Sequence, residues 1–270
     1  MLLPFTATLT SLADTLHQSL PAGSHLAGMA AVFVLAGVVK GVVGLGLPTV
    51  AMALLALWLP PAQAAALLIA PSLATNVWQM RPWATLGPLA RRLAGMQAGV
   101  VVGTVGAAWA LGAPATSAWA GMALGLVLLA YAGWSLAGVA LTVPAQHTRW
   151  LGPLVGVATG LVTAVTGVFV VPAVPYLQAL GLQRDELVQA MGLSFTVSTL
   201  ALAAGLWAGA AGSGVSPFTG FGTSVLMLLP ALAGMGLGQA MRSRLSPTLF
   251  RRCFLGSLAV LGGYMVAHGL

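Results

Sequence analysis

Leu26–Leu59, LAGMAAVFVLAGVVKGVVGLGLPTVAMALLALWL, decides how this chain folds. As one helix rising 1.5 Å per residue it would measure about 50 Å, well beyond the ~30 Å of hydrocarbon in a bilayer. It is also punctured in its middle by Gly37, Gly41, Gly44, Gly46 and Pro48. Glycine withholds side-chain packing and proline removes a backbone donor, so the helix is expected to break there and turn back as a hairpin. Leu151–Leu180 has the same character, with Gly156, Gly160, Gly167, Pro172 and Pro175 inside it.

Around these two stretches lie six apolar segments of spanning length: Ala62–Met80, Pro88–Leu111, Thr116–Ala140, Asp185–Gly209, Pro217–Met241 and Pro247–His268. Pro60-Pro61, Arg81-Pro82, Gly112-Ala113-Pro114, Gly212-Ser213-Gly214 and Ser246-Pro247 punctuate the turns between them. Trp58, Trp78, Trp83, Trp109 and Trp150 fall close to segment ends, where amphipathic rings favour the headgroup region. The chain is 59% hydrophobic and 5% charged, with a mean hydropathy of +0.99. Water is the wrong solvent for such a surface, because soluble domains carry roughly 25% charged residues. The fold class is therefore an all-α polytopic integral membrane protein. The 1–25 segment has no Lys or Arg to make a signal-peptide n-region and is expected to be retained. Its Leu9, Leu12 and Leu16 fall at helical spacing and suggest a helix lying along the interface.

Hairpin followed by three spans describes both halves, giving a first repeat at 26–143, a linker at 144–150 and a second repeat at 151–270. Ala70-Pro71-Ser72-Leu73 aligns with Gly192-Leu193-Ser194-Phe195, Gly99 and Gly103 with Gly234 and Gly238, and Leu124-Gly125 and Tyr131 with Leu255-Gly256 and Tyr264. Charge gives a separate test. If each hairpin returns to its face of entry, Arg81, Arg91, Arg92, Arg149, Arg184, Arg242, Arg244, Arg251 and Arg252 share one side, nine of the ten cations. By the positive-inside rule that side is the cytoplasm. Both termini then lie outside, and the second repeat is inverted relative to the first. Inverted repeats with broken helices meeting near the midplane are a recurrent design of secondary transporters.

The run Gly37-Val38-Val39-Lys40-Gly41-Val42-Val43-Gly44-Leu45-Gly46-Leu47-Pro48, with Gly160-Leu161-Val162-Thr163-Ala164-Val165-Thr166-Gly167 and Pro172, resembles the sulfite exporter TauE/SafE family of membrane permeases. The resemblance extends from about Leu26 to the end of the chain. It departs from the commoner family pattern at Leu45, Leu47, Val168 and Phe169, where members often have a denser run of glycines. The resemblance implies multi-pass insertion in the cytoplasmic (inner) membrane of a bacterium and movement of small anions, especially sulfite, sulfonates and related sulfur compounds.

Lys40 is the one charged residue assigned inside hydrocarbon. A buried ammonium costs at least ~2.5 kcal/mol on insertion scales unless it meets water, a partner or an anion. No acidic residue is assigned near it, so an anionic substrate is one source of counter-charge, helped by backbone N–H groups freed at the glycine break. The other reading is that Lys40 snorkels to the cytoplasmic interface along its four-carbon stem. The expected cavity joins Lys40, Gly41, Gly44, Gly46 and Thr49 to Thr163, Thr166 and Gly167, with Ser72, Thr75, Asn76, Ser194, Thr196 and Ser198 from neighbouring spans. Any one of these hydroxyls can instead bond its own helix carbonyl.

Asp14, Asp185 and Glu186 are the only carboxylates, and the last two suit a solvated helix start. A relay of buried carboxylates is therefore absent. Coupling falls to Lys40, a peripheral group, a co-transported ion held by neutral oxygens, or exchange. An intramembrane hydrolase would need an activated nucleophile, yet His17, His25, His147 and His268 fall in ends or loops. Clustered metal ligands are missing, the lone Cys253 permits no internal disulfide, and no cofactor is expected. The charge of +7 is explained by orientation in lipid and needs no nucleic acid. The expected partners are a small anion and membrane lipid; a homo-oligomer is left open. A membrane scaffold without flux would want larger soluble loops. A passive anion channel would use the same polar groups as a carrier.

Overall fold

A computed structural model describes residues 22–111, 119–138, 141–211, 221–242 and 246–268. Leu9, Leu12 and Leu16 of the expected interfacial helix lie outside them. The described elements are helical: α1 Ala22–Val43, α2 Leu47–Leu55, α3 Pro61–Gln79, α4 Leu86–Leu111, α5 Ala120–Ala137, α6 Thr148–Thr166, α7 Ala173–Ala179, α8 Arg184–Ala211, α9 Phe221–Leu226, α10 Leu228–Met241 and α11 Pro247–His268, with short 3₁₀ turns at Trp83–Thr85 and Ala145–His147. The N-terminal segment expected at 1–25 thus ends inside α1.

Both glycine-rich stretches break, at narrower points than the clusters suggested. In the first, Gly44 and Gly46 take φ of 82° and 107°, and α2 restarts with Pro48 in its first turn. Only glycine enters that region without strain. Gly37 and Gly41 continue α1 undisturbed, because their task is contact. A Cβ on Gly37 would run into the Ala231 carbonyl oxygen and lie 3.1 Å from Gly234 Cα; one on Gly41 would strike the Met235 carbonyl oxygen and lie 2.9 Å from Gly238 Cα. In the second stretch Gly167, at φ 69°, ends α6, and Pro172 precedes α7. Gly156 and Gly160 likewise stay helical, packed on α4. A Cβ on Gly156 would lie 3.0 Å from Gly99 Cα, and one on Gly160 would lie 2.9 Å from the Gly103 carbonyl carbon. Small residues at this spacing let backbones approach closely and gain dispersion contacts along the seam.

The most extensive helix pairings are α4 with α6, α1 with α10, α5 with α11, and α8 with α4 and α3. At the α5–α11 crossing the glycine that meets Gly125 is Gly262, whose carbonyl oxygen would stand 2.8 Å from a Gly125 Cβ; Gly256, aligned with Gly125 by sequence, has nothing within 4 Å. The short arms sit deepest. Eight of the nine residues of α2 are buried, and Ala173, Val174, Tyr176 and Leu177 of α7 are buried in the same core.

The exterior is apolar. Val260 is 75% exposed and Trp109 87% exposed, a surface suited to acyl chains. Among the described residues six helices are long and apolar enough to cross a membrane: His25–Val43, Trp83–Ala110, Ala120–Ala137, Arg184–Ala208, Phe221–Met241 and Leu249–His268. Five coincide with expected spans. The sixth is the first arm of the hairpin, which runs uninterrupted to Val43. The segment expected at Ala62–Met80 is helical as α3, yet Gln63, Ser72, Thr75, Asn76 and Gln79 make it too polar to join that set.

One end of the bundle gathers the arginine-bearing turns. Arg92 donates to the Leu180 carbonyl at 3.2 Å, Gln189 Nε2 donates to the carbonyls of Met80 and Pro82 at 2.8 and 2.6 Å, and Val143 N donates to the Ala179 carbonyl at 2.9 Å. Arg251 shares a polar pocket of about 270 Å³ with Gln178 and Ser135. Arg81 stacks its guanidinium 4.3 Å from the Trp78 ring, at the same end.

Candidate functional site

Lys40 occupies the last turn of α1 and is 3% exposed. Its Nζ donates to Asn76 Oδ1 of α3, so it does not snorkel to an interface. Three residues further along α3, Gln79 Nε2 donates to the Gly44 carbonyl at 2.6 Å, within the break. The ends of α1 and α3 are thereby held together and the two helices run the same way, with α2 returning the chain between them. Ser72, Asn76 and Gln79 follow at i, i+4 and i+7, which sets them on one face of α3.

This face is rich in unspent hydrogen-bonding capacity. Asn76 Nδ2, Ser72 Oγ and Gln79 Oε1 are buried without a protein partner; Thr49 Oγ1, on α2, is likewise unpartnered. Buried polar atoms are nearly always bonded, so such a concentration marks a place built for something besides the protein's own groups. Among the described residues no carboxylate lies against Lys40. Asp185 and Glu186 are exposed at the start of α8, where Glu186 Oε2 accepts from Gln183 N at 3.1 Å, the reach-back of a helix cap.

The second hairpin meets the first at its break. A Cβ on Gly167 would lie 2.9 Å from Met52 Cε of α2. Thr163 and Thr166 are buried nearby along α6, but each donates to its own helix, to the Thr159 and Val162 carbonyls at 2.8 and 2.7 Å. Thr166 Oγ1 also accepts from Val168 N at 3.2 Å and so dresses the turn.

Other expected members are spent or face elsewhere. Thr75 donates to the Pro71 and Ser72 carbonyls at 2.7 and 3.2 Å, and Thr196 donates to the Gly192 carbonyl at 2.7 Å. Ser194 Oγ accepts from Gln97 Nε2 at 2.8 Å, and Ser198, also buried, follows it by one turn. Thr196, two residues on from Ser194, is turned about 200° round the helix. Gly41 faces α10, and a Cβ on Gly46 would meet Val39 and Phe254 at 3.2 and 3.3 Å. The structure thus joins Lys40, Gly44 and Asn76, sets Ser72 on their face, and brings Gly167 against α2.

Sequence reasoning missed Gln79 and Ser224. Gln79 was legible as the residue one turn beyond Asn76. Ser224, wholly buried on α9, answers Pro71: proline has no N–H for the Leu67 carbonyl, and Ser224 Oγ donates to that carbonyl at 2.9 Å while accepting from Ala70 N at 3.1 Å. No local signal in the 221–226 sequence announces this.

An apolar groove of about 770 Å³ between α1, α2 and α11, lined by Leu35, Val39, Val50, Phe254 and Leu258, opens on the outer surface. Neither this groove nor the polar pocket at Arg251 includes Lys40 in its lining. Among the described residues no group of His, Cys, Asp and Glu could hold a metal ion.

Two interrupted helical stretches inside an apolar bundle, one of them carrying a buried amine, define a multi-pass membrane protein. Residues 29–265 match the family described as Sulfite exporter TauE/SafE, and the chain belongs to it. The family is one of membrane transporters for sulfur-containing anions. Comparison with curated proteins and with solved structures gave no match.

Proposed function

We propose that this protein is a secondary transporter of small anions, among them sulfite, sulfonates or related sulfur-containing or organic anions, in the cytoplasmic membrane of a bacterium. The observation that carries the reading is Lys40: a buried amine bonded to the neutral amide of Asn76, whose Nδ2 lacks a protein partner, as does Ser72 Oγ on the same face of α3. Donors without acceptors next to an amine without a carboxylate complement an oxyanion. The site lies where α1 gives way to α2, and the backbone there offers further N–H groups.

We further propose the inverted repeat over 26–143 and 151–270, joined by 144–150. Its support is the exchange of partners. α1 packs on α10 as α6 packs on α4, while α5 packs on α11 and α3 on α8, helices at matching positions in the two halves. The clustering of Arg81, Arg92, Arg251 and the start of α8 at one end supports hairpins that return to their face of entry, with that end cytoplasmic. Alternating access would expose the Lys40 site to each side in turn. Its 3% exposure favours a carrier over an open channel.

Uptake into proteoliposomes of sulfite, sulfate, taurine and methanesulfonate tests the reading. Saturable flux with counterflow for one or more of them is the expected result. Ohmic current would make the protein a channel, and silence from all four would remove the transport reading.

A further inference from the structure

We infer that anion binding at Lys40 is obligatorily linked to protonation of its Nζ, so that the protein moves anion and proton together as a neutral pair. The inference rests on the transport reading above and supplies its coupling ion.

Lys40 has a neutral partner. Asn76 Oδ1 can accept a hydrogen bond from –NH2 or from –NH3⁺, and as a neutral amide it brings no counter-charge to the ammonium. The other elements packed around Lys40 supply no counter-charge. α2, α3 and α10 contain no titratable residue. α11 carries Arg251, Arg252, Cys253, Tyr264 and His268, all exposed, and α1 itself adds only His25, near its far end. α8, packed on α3, carries Arg184, Asp185 and Glu186, all exposed at its start. Among the described residues Lys40 is therefore the one titratable group at this site.

An unpaired ammonium in such surroundings is disfavoured, and so is an unpaired anion. Bound together they cancel. The step balances: the Nζ lone pair takes a proton from hydronium on the side the site faces, releasing water, the anion brings one negative charge from the same side, and no bond within the anion changes. The loaded site, –NH3⁺ with its anion, and the empty site, –NH2 with Asn76, both carry no net charge. Neither leg of a transport cycle then moves charge through the membrane. Raising the proton concentration on one side must raise anion affinity on that side.

Methanesulfonate is the suitable probe, because a sulfonate stays ionised across the working pH range and brings no proton of its own. It is loaded into proteoliposomes of the full chain with the membrane potential clamped to zero by potassium and valinomycin. A pH gradient, acid outside, should drive uphill accumulation that approaches about tenfold per pH unit for one-to-one coupling. An imposed potential at equal pH should drive none. Lys40→Arg, whose guanidinium keeps its proton, should still bind the anion and lose pH-driven accumulation. Saturable methanesulfonate flux that follows the potential and ignores the pH gradient would overturn proton linkage and leave the transport reading standing. Absence of flux for all four anions of the panel would remove both. The wild-type measurement decides the matter even if the arginine variant fails to insert.

Discussion

Met52 of α2 rests on Gly167, the residue that ends α6, closely enough that a single added carbon at Gly167 would lie 2.9 Å from its terminal methyl. The short arm of one hairpin is thereby seated on the turn of the other. Gly167 also holds φ at 69°, so two physical demands meet in one residue.

Gly167→Ala is expected to suffer twice. The left-handed conformation costs roughly 1–2 kcal/mol for a residue with a Cβ, and Met52 must swing aside. Adding Met52→Ala should relieve the contact and leave the backbone cost. Thermal unfolding in detergent of the single and double variants would show partial, never complete, recovery; full recovery would mean that backbone conformation is not what requires glycine there.

Lys40→Met keeps the length and apolar stem of the side chain and removes its charge. Anion flux in proteoliposomes should fall by at least tenfold with the protein still produced and inserted. Full transport by this variant would take Lys40 out of the site.

The bundle class, the presence of a helix break in each glycine-rich stretch and the isolation of Lys40 were legible in the sequence, because hydropathy, glycine and a lone charge are local signals. It did not tell the glycines apart. Gly37 and Gly41 read the same as Gly44 and Gly46 in a hydropathy scan; what separates them is α10, nearly 200 residues away, whose backbone fills the space a side chain would need. The hydroxyls were equally ambiguous. Thr163, Thr166 and Thr196 bond one turn back along their own helices, whereas Ser72 is left unpartnered, a distinction made by rotamer and neighbour and not by residue type.

The glycine seams predict an asymmetry among substitutions of equal size. A Cβ on Gly156 would strike the Met96 carbonyl oxygen, while Gly106, on the same seam helix as Met96, has nothing within 4 Å. Gly156→Val should destabilise by about 1–3 kcal/mol or prevent accumulation, and Gly106→Val should be tolerated. Size-exclusion profiles and melting temperatures of the two variants check this.

Ser224→Ala removes the hydroxyl that bonds the Leu67 carbonyl next to Pro71. A buried acceptor left unpaired costs about 1–3 kcal/mol, so the melting temperature should drop although no site residue is touched. Replacing Pro71 with Ala restores an N–H for that carbonyl and should lessen the loss.

Cysteine labelling tests the topology. In a Cys253→Ala background, single cysteines at Arg149 and Arg242 should react from the same side of the membrane, the cytoplasmic one. Labelling from opposite sides would mean that one hairpin crosses the bilayer outright.

Each close glycine crossing takes one helix from either half of the chain: α1 belongs with α10, and α4 with α6. The halves are therefore stitched into each other, and tilting one as a block against the other would tear both seams. The two short helices α2 and α7 take no part in these crossings and are buried in the core between them. A transport motion confined to these two short helices would leave both glycine seams intact.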